Sequence, residues 1–166
     1  PEFIVSKKTI LVKNLNVTGS ITGKQNIGGI VGTSDYAGIK DCYFNGTVTG
    51  TYNSVGGIVG LATDESVIIQ CHSSGPVTGK QRTGGIAGLT ESNSVISKCY
   101  SDAAVEGTRN VGGIAGTLSG ANLVGCFTRG SVKGDNRVGG IIGYSTVSTV
   151  RGAYAITGVT SDGADK

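Results

Sequence analysis

Apolar residues in this chain come as short β-branched clusters, and the clusters recur. Ile39, Ile68, Ile96, Leu123 and Val150 each stand three residues before Cys42, Cys71, Cys99, Cys126 and Ala153. Six residues beyond that second set come Val48, Val77, Val105, Val132 and Val159, and two further on Gly50, Gly79, Gly107 and Gly134. Gly, Asn, Ser, Thr and Asp fill the gaps between clusters. No window repeats its apolar positions at the 3.6-residue period of a helix, so the pattern predicts short strands separated by turns. A glycine string marks each unit: "NIGGIVG", "SVGGIVG", "RTGGIAG", "NVGGIAG" and "RVGGIIG". The paired glycines begin at Gly28, Gly56, Gly84, Gly112 and Gly139, in steps of 28, 28, 28 and 27 residues.

A fixed period of this size is the signature of a solenoid. A unit with two or three short strands cannot bury its own apolar face. Stacked on a copy of itself, it pairs each strand in parallel with its equivalent about 4.8 Å away. The expected fold is therefore all-β: a parallel β-solenoid, or β-helix, of about five and a half rungs of 27–29 residues. It is expected to be right-handed, because parallel crossovers overwhelmingly take that hand. Ile30, Ile58, Ile86, Ile114 and Ile141 should form one inward ladder and the valines at 48 to 159 another. The glycines are expected where the chain turns or where backbones come close. Gly19, Gly46, Gly75 and Gly130, three residues after an aromatic slot, point to a second corner.

The organisation expected along the chain is simple. Residues 1–3, "PEF", read as a cloning scar, and 4–22 as a half rung with Val12, Leu15 and Ile21 in the matching slots. Residues 23–160 hold five full repeats, and 161–166 form a tail. Nothing resembling a cap follows Val159, so the coil is expected to continue into flanking domains of a longer parent chain.

Composition changes the picture little. Thirty glycines in 166 residues is more than twice the usual share, and there is no Met or Trp, so a large globular core is not expected. No apolar run approaches the ~20 residues of a membrane span, and no membrane insertion is expected. A net charge of +3 does not point to nucleic acid. Its distribution says more. Lys24, Lys80, Arg82, Arg109 and Arg137 precede the glycine pairs, and Asp35, Asp64, Glu65 and Glu91 follow the first three. One edge of the coil should be basic, suited either to sulfated or sialylated glycans or simply to keeping the turns solvated. The acidic loops lack the Asp-rich signature of calcium repeats.

Two side-chain columns could carry chemistry. The four cysteines are spaced by one repeat, so each lies on its own rung, and Leu15 and Ala153 share the slot. Zinc needs ligands converging from about four directions, whereas a ladder presents them along a line. A position filled by Leu, Cys or Ala is a small buried hydrophobe, so these are expected to be free, stacked thiols with no metal or cofactor. Beside them stand Tyr43, His72, Tyr100, Phe127 and Tyr154. With Asp41, Gln70 and Lys98 on the other flank, each cysteine should point in and both neighbours out. The aromatic column is then a binding surface for sugar rings or an extended peptide, or a self-stacking ladder that stabilises the coil.

Catalysis is not expected. No acidic pair recurs on the strands, as glycoside chemistry would need. His72 is the sole histidine and sits in the aromatic column, which leaves no Ser–His–Asp set. No HExxH, phosphate loop or dinucleotide fingerprint occurs.

The strings "VGGIVG" (55–60), "KCYSDAAVEG" (98–107) and "DCYFNGTVTG" (41–50) resemble the GLUG motif, a repeat of Gram-positive and other bacterial surface proteins. The resemblance covers residues 15–160. It implies a non-catalytic module of an extracellular adhesin on the cell surface or cell wall, displaying itself and binding a host glycan or host protein. The alternative it implies is a structural or substrate-positioning segment of a large secreted metallo IgA peptidase.

Overall fold

The computed structural model describes residues 11–162. Residues 1–3, with the rest of the segment before Leu11, and the last four residues of the tail lie outside the described residues.

Among the described residues there are 24 strands and no helix, and every strand pair is parallel, one repeat apart. The fold is a β-solenoid of three sheets. The first is six strands deep: Leu11–Lys13, Gly38–Lys40, Val67–Ile69, Val95–Ser97, Asn122–Val124 and Thr149–Arg151. The second stacks Val31–Asp35, Val59–Thr63, Ala87–Glu91, Ala115–Ser119 and Ile142–Thr146. A 13-stranded sheet carries both the aromatic slots and the segments leading into each glycine pair.

Register converts the sequence period into ladders. Ile39 faces Ile68, Ile68 faces Ile96, and Ile96 faces Leu123, all four fully buried. Val48, Val77, Val105 and Val132 form the second column. The isoleucines of the glycine strings make the third, with Ile58 and Ile86 donating their amides to the Ile86 and Ile114 carbonyls at 3.0 and 2.9 Å. At the C-terminal end of the described stack the same slots are open to solvent, as at Val150 and Val159, and at the N-terminal end so is Leu15 in the cysteine slot. A ladder residue is covered only by its neighbours on both sides.

The glycine strings are places of close approach, and their paired glycines are not turns. A Cβ on the second glycine of the pair would run into the strand across the core. From Gly57 it would lie 2.6 Å from Ser73 Cβ, from Gly85 2.8 Å from Ser101 Cβ, and from Gly113 2.7 Å from Thr128 Cγ2. The coil is too thin here for any side chain. Gly46 and Gly130 likewise press on the Gly19 and Ala103 carbonyls of the preceding coil, while Gly75, at φ +96°, breaks the strand between Ser74 and Pro76.

The corners belong to other residues. Asn26, Ser54, Arg82, Asn110 and Arg137, directly before each "x-G-G", all have φ between 51° and 56°. A second left-handed column runs through Asn14, Asp41, Gln70, Lys98, Gly125 and Gly152, immediately before the cysteine slot. Asp41, Gln70 and Lys98 are exposed, as expected of the residue before each cysteine, but they form the bend itself and are not strand positions. The third corner absorbs most of the uneven period, and one extra residue between Thr49 and Asn53 absorbs the rest. Two residues link the strands at Tyr36–Ala37, Gly120–Ala121 and Val147–Ser148, and three do so at 64–66 and 92–94. The longer links use a left-handed pair, Asp64–Glu65 and Ser92–Asn93.

Candidate functional site

The cysteine column is interior. Cys42, Cys71, Cys99 and Cys126 are buried and unpaired, and each thiol donates to the carbonyl two residues back, at 3.2, 3.4, 3.3 and 3.5 Å for Lys40, Ile69, Ser97 and Val124. Burial pushes the Cys99 thiol well above its ordinary pKa, which disfavours the reactive thiolate. Among the described residues no three His, Cys, Asp or Glu side chains converge as a metal site would require.

The aromatic column is a continuous stack. Tyr43 and His72 lie 4.7 Å apart between ring centroids, His72 and Tyr100 3.8 Å, Tyr100 and Phe127 5.0 Å, and Phe127 and Tyr154 5.3 Å. The planes of the last two pairs lie within 7° of parallel. Parallel register imposes this: His72 pairs with both Tyr43 and Tyr100, and Phe127 with Tyr100 and Tyr154. The interior rings are half-buried, and their faces are covered by one another. What they offer outward is their edges.

Two residues further along each coil lies a polar column whose charges the sequence reading did not single out. Arg129 grips Asp102 with two bonds of 2.8 Å, and Asp102 Oδ2 lies 3.3 Å from His72 Nε2. That last contact lacks hydrogen-bond alignment and is ionic only when His72 is protonated. Desolvation lowers the His72 pKa, with Asp102 opposing it. The Arg129 hydrogen bond holds the Asp102 carboxyl below its ordinary range. One signal was available: opposite charges one repeat apart, both two residues after an aromatic. Nearer the N-terminus the same column is neutral, with the Ser74 hydroxyl bonded to Asn45 Oδ1 and in contact with the Tyr43 hydroxyl, both at 3.0 Å.

The basic residues resolve into three adjacent columns. Lys24 and Lys80 are exposed in one. Arg109 occupies the next, paired with Gln81 and Asn136. Arg82 and Arg137 share the left-handed corner column with Asn110 between them. Corner residues reach across to the second sheet. Asn110 Nδ2 donates to Thr117 Oγ1 at 3.1 Å, and the Arg137 guanidinium stacks 4.3 Å from the centre of the Tyr144 ring. Because Asn110 is shorter than the arginines one coil away on each side, a groove of about 320 Å³ opens there. Arg82, Arg109 and Arg137 stand around it, with Leu89, Thr117 and Glu91 also contributing.

Comparison with known proteins places this geometry. Residues 23–49 and 51–78 match the family model of the GLUG motif. Among solved structures, a candidate immunoglobulin A1 protease from Bacteroides ovatus superposes with a TM-score of 0.66 at 24% identity. The match covers 91% of this chain and 50% of that one, so this chain spans half the length of its structural relative. At that identity the likeness is one of fold. No curated protein matches the chain. Two coils, residues 23–49 and 51–78, match the GLUG motif directly, and the remaining coils continue the same glycine strings in the same register.

Proposed function

We propose that the chain is a non-catalytic display and binding module of an exported bacterial surface adhesin, presenting host-directed surface along its coils. The observation that carries this reading is the ladder itself. Every column capable of chemistry is consumed by its own stacking: thiols on backbone carbonyls, rings on rings, and Asp102 on Arg129. What remains for a partner is the long outer surface, including the arginine columns. Each coil adds about 4.8 Å of reach, a geometry suited to projection. The fold match to a candidate immunoglobulin A1 protease favours a second reading, in which the coils are a structural or substrate-positioning segment of a secreted peptidase.

Deletion tests both readings. Removing residues 23–160 from the full-length polypeptide, with export verified, is expected to abolish attachment to host cells or immobilised host glycans. Loss of immunoglobulin A1 cleavage with attachment intact would select the second reading. Attachment and cleavage both unchanged would refute the two together.

A further inference from the structure

The groove around Asn110 has the chemistry of a ligand site. Parallel register sets Arg82, Asn110 and Arg137 on three successive coils, so the two corner arginines stand about 10 Å apart, two strand spacings. Arg109, exposed, lies beside Asn110 on the central coil. Arg82, Arg109 and Arg137 make no carboxylate ion pair among the described residues. Arg137 is instead held over Tyr144, which fixes its plane while leaving its N–H edge for an acceptor.

The floor supplies a second, independent observation. Asn110 is 8% exposed, donates its amide N–H to Thr117, and leaves its buried Oδ1 without a partner. A buried amide oxygen with no donor costs stability, and it lies in the side chain that forms the groove's floor. Thr117, Ser119 and Thr146 extend the polar lining. Glu91 contributes a carboxylate to the same groove. It accepts bonds from hydroxyls and repels a dense polyanion.

From these residues we infer that the groove binds an acidic sugar carrying one oxyanion, a carboxylate or a sulfate ester. The oxyanion is received by Arg109 and its arginine neighbours above the Asn110 floor, and ring hydroxyls donate to Glu91. Arginine suits such an oxyanion because its planar fork matches two oxygens at once. A volume near 320 Å³ is the lower end of small-ligand sites and suits one or two sugar rings. The inference names the ligand class for the binding module proposed above and rests on that reading.

The test titrates the 166-residue chain with sialyllactose, 3′-sulfolactose, lactose and a heparin-derived hexasaccharide, followed by NMR shifts and calorimetry. Saturable binding of sialyllactose or sulfolactose is expected, with lactose silent, and whichever binds identifies the oxyanion. Arg109→Ala, at an exposed side chain, should weaken it at least tenfold while leaving the thermal midpoint within a degree or two. Asn110→Asp should weaken it at least tenfold as well, with any loss of stability at this buried position read from its thermal midpoint and binding measured well below it. Asn110→Asp keeps the shape and the left-handed preference but turns the floor anionic. Absence of binding by both acidic sugars would overturn the inference. So would binding of the hexasaccharide alone, or acidic-sugar binding indifferent to Asn110→Asp. Loss of attachment on deleting the coils, with no saccharide bound by the isolated chain, would leave the module standing and the groove refuted.

Discussion

Gly85→Ala is the sharpest probe of how the glycine strings work. The new Cβ would sit 2.8 Å from Ser101 Cβ and against the Gly113 carbonyl oxygen. Neither side can yield cheaply. Gly85 N–H is bonded to the Gly112 carbonyl at 3.3 Å, the Gly85 carbonyl accepts from Ser73 Oγ, and Ser101 Oγ holds the Ala103 amide at 3.2 Å. Overpacking alone costs about 1–3 kcal/mol, and disrupting the buried Ser73–Gly85 bond adds about 1–3 kcal/mol. Restricting the unfolded chain returns only about 0.4–1 kcal/mol. A net loss of about 3 kcal/mol is therefore expected, read as a lowered urea midpoint by far-ultraviolet circular dichroism at unchanged slope. Gly158→Ala is the matched control, since a Cβ there meets nothing within 4 Å; it should lie within about 0.5 kcal/mol of the parent. Adding Ser101→Gly to Gly85→Ala should recover part of the loss by removing the opposing side chain. If Gly85→Ala and Gly158→Ala prove equally mild, the close-approach account of the paired glycines is wrong.

The other predictions concern a corner, the core and acid. Val147 is β-branched at φ 47°, where the preceding coil has Gly120, so Val147→Gly should stabilise by about 0.5–1 kcal/mol once the flexibility of glycine is set against the relieved strain; a lower melting temperature would contradict this. Cys99→Ala should cost about 1 kcal/mol, whereas Cys99→Asp should break the middle of the stack, both measurable by denaturant titration. The folded-state pKa of His72 lies below its unfolded value of about 6.5, so the unfolded chain binds the proton first and stability should fall as pH drops through about 6.5. Asp102, held low by Arg129, adds a further loss below about pH 4. His72→Tyr keeps the ring stack and should abolish the upper limb only; a profile identical to the parent would mean His72 does not carry it.

Much of this molecule was legible because a parallel stack translates sequence period directly into space. The recurrence of Ile39, Ile68, Ile96 and Leu123 once per repeat, 27–29 residues apart, was enough to predict that they touch, as was the spacing of Tyr43, His72, Tyr100, Phe127 and Tyr154 for their stacking. The corners were harder. Arg82 and Arg137 read as basic surface and Asp41, Gln70 and Lys98 as outward-facing strand residues, yet all are left-handed bends. The clue lay in Gly125 and Gly152 sharing the latter column, and in Asn26 and Asn110 sharing the former. Few side chains tolerate positive φ well, and Asn and Gly lead among them.

Alone, then, the amino-acid order determined the solenoid, its coil length and its inward ladders. Each of these follows from period and side-chain alternation, which are local properties repeated along one axis. Tertiary structure decided what lies opposite what across the coil. It set Ser101 against Gly85, leaving no room for a Cβ. It joined Asp102 to Arg129 beside His72, and brought Asn110 to Thr117 at the bottom of an arginine-lined groove. These contacts depend on three corner angles and on a core only one side chain thick, and neither leaves a trace in a repeat length.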